Sequence, residues 1–241
     1  MKTLVESLFD SKTQTVMESL FDNDLASKDP IVYHPETKKE LRDCIEKELN
    51  KQGPDANLNI IDVSKITDMY DLFYIFRDNV RNIDISLWDV KKVKNMYSIF
   101  EGCEKFNCDL SKWDVRNVRT MNNMFCDCKN FNSDLSKWDM SKVENMYHMF
   151  YGCKNFNSDL SKWDVRNVRD MYGMFHGCKS FNSDLSKWDV RNVEDMRCMF
   201  YGCEKFNSDL SKWDVRKVER MYNMFGGCES LKKIPSWYKE S

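Results

Sequence analysis

Tryptophan recurs every 25 residues, at Trp88, Trp113, Trp138, Trp163, Trp188 and Trp213. A strict period of this length means that one structural unit is used repeatedly, each copy resting on the next. The ten residues FNSDLSKWDV stand unchanged at 156–165, 181–190 and 206–215. The internal copies share the frame Leu110-x-x-Trp113-x-Val115-x-x-Val118-x-x-Met121-x-x-Met124-Phe125-x-x-Cys128-x-x-Phe131. One copy has too few apolar side chains to offset the entropy of ordering it, so only stacked copies form a core.

Within a copy, apolar and polar residues alternate over Trp113-Asp114-Val115, the pattern of a strand with Trp and Val inward and Asp outward. Val118, Met121, Met124, Phe125 and Cys128 then fall on one helical stripe. Gly102, Gly152, Gly177, Gly202 and Gly227 precede the cysteine, where a helix end takes a left-handed residue. The predicted fold is therefore α/β: a right-handed solenoid of about seven strand–helix turns. The first turn, Leu58-x-x-Ile61-x-Val63-x-x-Ile66-x-x-Met69-x-x-Leu72-Phe73, lacks the tryptophan. Two extra residues between Phe73 and Trp88 predict a bulge or longer loop there. Pro235 suits a terminating edge, so a C-terminal cap strand is expected.

Ahead of the repeats, 36–52 reads as a helix, preceded by Pro35 and ended by Gly53-Pro54, with Leu41, Ile45 and Leu49 on one stripe. It is the expected N-terminal cap of the stack. The organisation is a tail over 1–27, a helical cap over 28–54 and a repeat body over 55–241. The tail holds a shorter duplication, VESLFDS at 5–11 and MESLFDN at 17–23. Its Leu8, Phe9, Leu20 and Phe21 could belong to a poorly ordered tail, to paired docking motifs that fold on a partner, or to extra packing on the repeats.

Six of the ten cysteines keep the 25-residue period: Cys103, Cys128, Cys153, Cys178, Cys203 and Cys228. They are expected to be small buried hydrophobes. A disulfide ladder would need an oxidising compartment, and the N-terminus MKTLVESLFDSKTQ lacks the apolar stretch of a signal peptide. A formal net charge of −2 gives no reason to expect nucleic acid as a partner. No 18-residue apolar run predicts a membrane span. The expected location is cytoplasmic or virion-associated.

The outward strand positions line up as charge columns. One is Lys112, Lys137, Lys162, Lys187 and Lys212, and beside it run Asp114, Asp139, Asp164, Asp189 and Asp214. A third holds Arg116, Arg166, Arg191 and Arg216, with Ser141 breaking it. Stacked like charges repel, and an acidic column between two basic ones relieves the repulsion by pairing across columns. The face is then either a self-neutralised soluble surface or a recognition surface for an extended partner. A second face carries Tyr97, Tyr147, Tyr172 and Tyr222 beside columns containing His148, Tyr151, His176 and Tyr201. These rings either pack between neighbours or anchor a protein partner. No C-x-x-C, H-E-x-x-H or G-x-x-x-x-G-K-[ST] motif is present. Neither catalysis nor a metal or other cofactor is expected.

The frame N-M-x-x-M-F-x-G-C-x-x-F-N-x-D-L-S-x-W-D-V resembles the BspA-like leucine-rich repeat of mycoplasma and bacterial surface proteins, also found in phages and giant viruses. The resemblance covers about 34–234. It implies a leucine-rich-repeat-like solenoid with a role in protein binding or adhesion, and it carries no catalytic residues over to this chain. The missing secretion signal departs from the surface-exposed members. Two functions follow as expectations: a non-catalytic protein-interaction module whose partner is a protein, or a structural or virion component in which the repeats give length and stiffness. The oligomeric state is left open.

Overall fold

The computed structural model describes residues 30–239. The chain divides into Met1–Pro30 and Ile31–Ser241. The description concerns the second unit, and the duplicated tail segments with Leu8, Phe9, Leu20 and Phe21 lie outside the described residues.

The repeats form coils laid one on the next in parallel register. Asp68, Asn95, Thr120, Asn145, Asp170, Asp195 and Arg220 make a column joined by single parallel bridges. Four backbone N–H groups of each inner coil reach the next one. Phe150 N–H donates to Met174 O at 2.9 Å and Gly152 N–H to His176 O at 2.7 Å, for example. Neighbouring coils are thus held by main-chain hydrogen bonds, which satisfies groups that burial would otherwise orphan.

The expectation of a strand–helix solenoid of seven turns is overturned. Among the described residues the helical structure is one α-helix and a single 3-10 turn, Tyr74–Phe76, and the β structure is isolated bridges with no sheet. The stripe from Val118 to Cys128 is a run of turns. The cause lies in the backbone. Each coil has left-handed residues within that run: Asn123 (φ 53°) and Asp127 (φ 57°) in one, His148 (φ 51°) and Gly152 (φ 71°) in the next. Such residues interrupt a right-handed helix. The freed N–H groups then bond to the following coil or close short turns, as Met149 N–H does on Met146 O at 3.1 Å. The glycine before each cysteine does occupy a left-handed position, but as part of a turn rather than a helix end. The stretch around each Trp-Asp-Val keeps the inward–outward alternation without a strand, and the C-terminal segment likewise forms no cap strand.

Side chains repeat as faithfully as the backbone. Each indole is 3–5% exposed from Trp88 to Trp213, and its Nε1–H donates to a carbonyl of the preceding coil, as Trp163 does to Leu135 O at 2.9 Å. Trp237 extends the column, 6.2 Å from Trp213 and bonded to Leu210 O at 2.8 Å, although it stands outside the 25-residue period. All ten cysteines are free, and five of the six periodic ones are fully buried while Cys228 is half-buried. Their thiols donate to phenylalanine carbonyls one coil back, Cys153 to Phe125 O at 2.9 Å. Burial pushes the Cys128, Cys153, Cys178 and Cys203 thiols far up from their ordinary value.

Helix α1, Lys38–Gln52, begins at Thr37, whose side chain accepts the Glu40 N–H, and ends at Gly53 (φ 84°). Its Leu41, Ile45 and Leu49 are buried. Lys38 Nζ donates to Tyr70 O at 3.2 Å and Arg42 Nη2 to Asp71 O at 2.5 Å, so α1 covers the first coil. The two extra residues before Trp88 are absorbed around the 3-10 turn.

Candidate functional site

Two surfaces carry the residues that the sequence points to. On the first, every turn after the tryptophan is built by its aspartate. The Asp164 carboxylate accepts the Arg166 N–H at 3.3 Å and its Nε–H at 2.8 Å. Arg116 meets Asp114 at 2.8 Å in the same way, while Arg191 meets Asp189 and Arg216 meets Asp214, each at 2.7 Å. Where Ser141 replaces arginine, Asp139 takes the Ser141 N–H at 3.0 Å. Asp214, bonded to the Arg216 side chain and backbone, is held down to about 2. The acidic and arginine columns therefore pair inside each coil.

Lys112, Lys137, Lys162, Lys187 and Lys212 make no ion pair with a described residue. They stand beside an acidic column that sequence reasoning missed: Asp109, Asp134, Asp159, Asp184 and Asp209. Each of these accepts the N–H of the serine two residues on, at 2.9–3.0 Å. The signal was present in the repeated Asp-Leu-Ser, which is an Asx-turn sequence.

The second surface is aromatic, and it lies where the copies differ. Tyr147 is 4.0 Å from His148 and 5.2 Å from Tyr172, by ring centroids. His148 lies 4.6 Å from Tyr151 and 4.8 Å from Tyr172. Tyr151, His176 and Tyr201 continue at 4.5 and 4.9 Å. The Arg197 guanidinium sits between Tyr172 and Tyr222, at 4.6 and 5.7 Å from their centroids. Tyr201 and Tyr222 are 42% and 41% exposed.

The left-handed column explains part of this geometry. Gly173 lies beneath His148, and a Cβ there would come within 2.5 Å of the imidazole. The ring is therefore half-buried on the next coil, and burial, with His176 nearby, pushes His148 down to about 4. Burial also lowers His176. Both imidazoles are neutral near pH 7.

Arg197 is fixed by a pair that sequence reasoning missed. Asp195, only 2% exposed, takes Arg197 Nε at 2.9 Å and Nη2 at 2.6 Å, with Arg220 Nη2 at 3.3 Å. The clue was that Asp170, Asp195 and Arg220 break the Asn/Thr run of their column. The result is a preorganised cation flanked by rings, suited to holding side chains of another protein. Among the described residues no group of three or more His, Cys, Asp or Glu could hold a metal ion. No helix among them is long and apolar enough to cross a membrane.

No curated protein matches the chain. No solved structure matches it either. A family model does, twice, over 44–152 and 127–237, and its description is Mycoplasma protein of unknown function, DUF285. The matches support a mycoplasma-type repeat, as the sequence motif implied, and do not carry the leucine-rich-repeat assignment. Spanning nearly the whole repeat body with its coil-on-coil geometry, they establish that the chain belongs to the DUF285 family of Mycoplasma repeat proteins.

Proposed function

We propose that this repeat protein is a non-catalytic scaffold that binds a protein partner through the aromatic–arginine face. One observation carries the reading. The columns that vary between copies converge on one face, where Tyr201 and Tyr222 are exposed and Tyr172 and the fixed Arg197 are half-buried. The charged ladder, by contrast, repeats almost unchanged. Identical coils build a platform, whereas discrimination between partners needs residues that differ along it. Tyrosine and arginine are the side chains that dominate binding energy at protein interfaces.

A second reading, in which the repeats are a rigid spacer, draws on the Asp–Arg pairs inside each coil, which leave that face self-neutralised. Quantitative affinity capture from host lysate separates the two. The proteins to compare are the full chain, Tyr201→Ser with Tyr222→Ser, and Arg166→Glu with Arg191→Glu and Arg216→Glu. The scaffold reading expects one partner, recovered with the ladder variant and reduced at least tenfold with the tyrosine variant. Loss with the ladder variant alone moves the interface to the charge columns. Recovery unaffected by either variant favours the spacer.

A further inference from the structure

One column of the aromatic face runs through the inner coils as Tyr97, Asn122, Tyr147, Tyr172, Arg197 and Tyr222. Its side chains leave equivalent turns. Tyr97, Tyr147, Tyr172 and Arg197 each donate their N–H to the side chain two residues earlier, at 3.0, 2.8, 2.9 and 3.1 Å. At Arg197 the guanidinium lies between tyrosines two coils apart, 4.6 Å from the Tyr172 centroid and 5.7 Å from that of Tyr222. Tyr97 and Tyr147 are also two coils apart, and the residue between them is Asn122.

The two flanking rings are backed from outside the pair. Tyr97 meets Tyr70 of the coil before it at 5.2 Å, and Tyr147 meets Tyr172 of the coil after it at 5.2 Å. His148, 4.0 Å from Tyr147, is drawn onto that following coil over Gly173. Toward Asn122 neither tyrosine meets another ring, and among the described residues no cation lies over either. Asn122 accepts the Thr120 hydroxyl at 2.5 Å and is too short to fill the space that an arginine occupies.

We propose that the slot formed by Tyr97, Asn122 and Tyr147 binds an arginine side chain of the protein partner, as the equivalent slot holds Arg197. Two stacked coils span about 10 Å, so a cation midway is within the ~6 Å reach of both rings. A planar guanidinium offers a face to each ring, which an ammonium cannot do. Charge agrees. Glu101 takes the Ser98 hydroxyl beside Tyr97, and Asp127 lies against Gly152 of the coil that carries Tyr147. Neither carboxylate has an ion pair with a described residue. The arginines on the flanks are engaged elsewhere: Arg77 lies over Tyr74 at 4.5 Å and Arg119 meets Glu144 at 3.1 Å. The inference rests on the scaffold reading for the partner being a protein, and adds what that partner must present.

The test is an NMR titration of the full chain with acetyl-Gly-Arg-Gly-amide, following tyrosine rings and the Asn122 amide. Saturable shifts are expected at Tyr97, Asn122 and Tyr147 in the millimolar range, with Tyr222 unmoved. Citrulline, the neutral isostere, in place of arginine should weaken binding about tenfold, and lysine about threefold. Asn122→Arg places the chain's own guanidinium in the slot and should abolish the response. Tyr97→Ser, which removes one wall, should do the same if that variant does not fold. Arg197→Asn empties the other slot, leaves Arg220 on Asp195, and should add a second site that moves Tyr222. No saturable shift, equal binding of the citrulline or lysine peptide, an undiminished response in Asn122→Arg or Tyr97→Ser, or no second site in folded Arg197→Asn overturns the proposal. Lysate capture that depends on Tyr201 and Tyr222 while the peptide moves nothing removes the slot alone. Peptide binding with capture indifferent to those tyrosines keeps the slot and removes the scaffold reading.

Discussion

Each periodic tryptophan has two roles at once. Its ring fills the core, and its Nε1–H satisfies a carbonyl that has been carried out of water on the preceding coil. Trp163 and Leu135 form such a pair at 2.9 Å. Phenylalanine at 163 would leave that carbonyl its other donor, the Trp138 N–H at 3.1 Å, but would lose one buried hydrogen bond, worth about 1 kcal/mol, and leave the space of the second ring unfilled, at a similar cost of about 1 kcal/mol. Trp163→Phe should therefore lower the stability from urea unfolding by about 2 kcal/mol with an unchanged m-value. A loss under about 0.5 kcal/mol would show that the bond contributes nothing. The burial of Trp163 was legible in the spacing of the sequence. Its donor role was not, because the acceptor is 28 residues away and becomes a partner only when the coils stack.

At the scale of one coil, the turns are set by left-handed positions, and what fills such a position on one coil shapes the next. Gly173, at φ 56°, makes room for the His148 ring of the coil before it. Gly173→Ala would place a methyl against the imidazole and drive it toward solvent. The folded-state pKa of His148 should then rise from about 4 toward its ordinary 6.5. The sign follows from linkage. A histidine depressed in the folded state stabilises fully above pH 6.5, and that contribution is lost as the pH falls from 6.5 through 4. The variant should lose less stability over this window than the parent, besides a uniform cost of about 1 kcal/mol for a left-handed alanine. NMR titration of the imidazole checks the first effect and thermal unfolding across the window checks the second. An imidazole still titrating near 4 in the variant would contradict the packing argument. The helical stripe from Val118 to Cys128 misled sequence reading for a related reason. An apolar spacing of three and four residues also fits a run of tight turns with the same side chains inward, and Asn123 and Asp127, residue types that tolerate left-handed positions, are a weaker signal than that apolar stripe.

Across the whole molecule, every inner coil meets its neighbours through the same contacts, so coils should be interchangeable in number but not in length. Deleting 131–155 removes one 25-residue copy and lets Trp163 donate to Leu110 O, the carbonyl that Trp138 uses at 3.0 Å. The shortened chain should remain folded with buried tryptophans and reduced stability, as expected for near-neighbour stacking. Removing one residue more or fewer should disrupt the stack locally, because each N–H would meet the wrong carbonyl. Near-UV circular dichroism and tryptophan fluorescence distinguish these outcomes. An in-register deletion that fails to fold would mean that the coils are not equivalent. The ends lie outside this regularity: α1 covers one, and at the other the N–H groups of Met221, Asn223, Phe225 and Gly227 meet no acceptor among the described residues.

The sequence by itself determined the repeat, its 25-residue register, which side chains are buried, and the helix that precedes the stack. These follow from local spacing and from the need of each apolar stripe to find a neighbour. Tertiary structure decided where the backbone hydrogen bonds go. By sending alternate N–H groups of each coil to the next, it replaced the expected strands and helices with stacked turns. It also brought Arg197, Tyr172 and Tyr222 from three coils into one patch. Side chains 25 residues apart become neighbours only through the stacking of coils, and no local pattern in the chain records which of their atoms will meet.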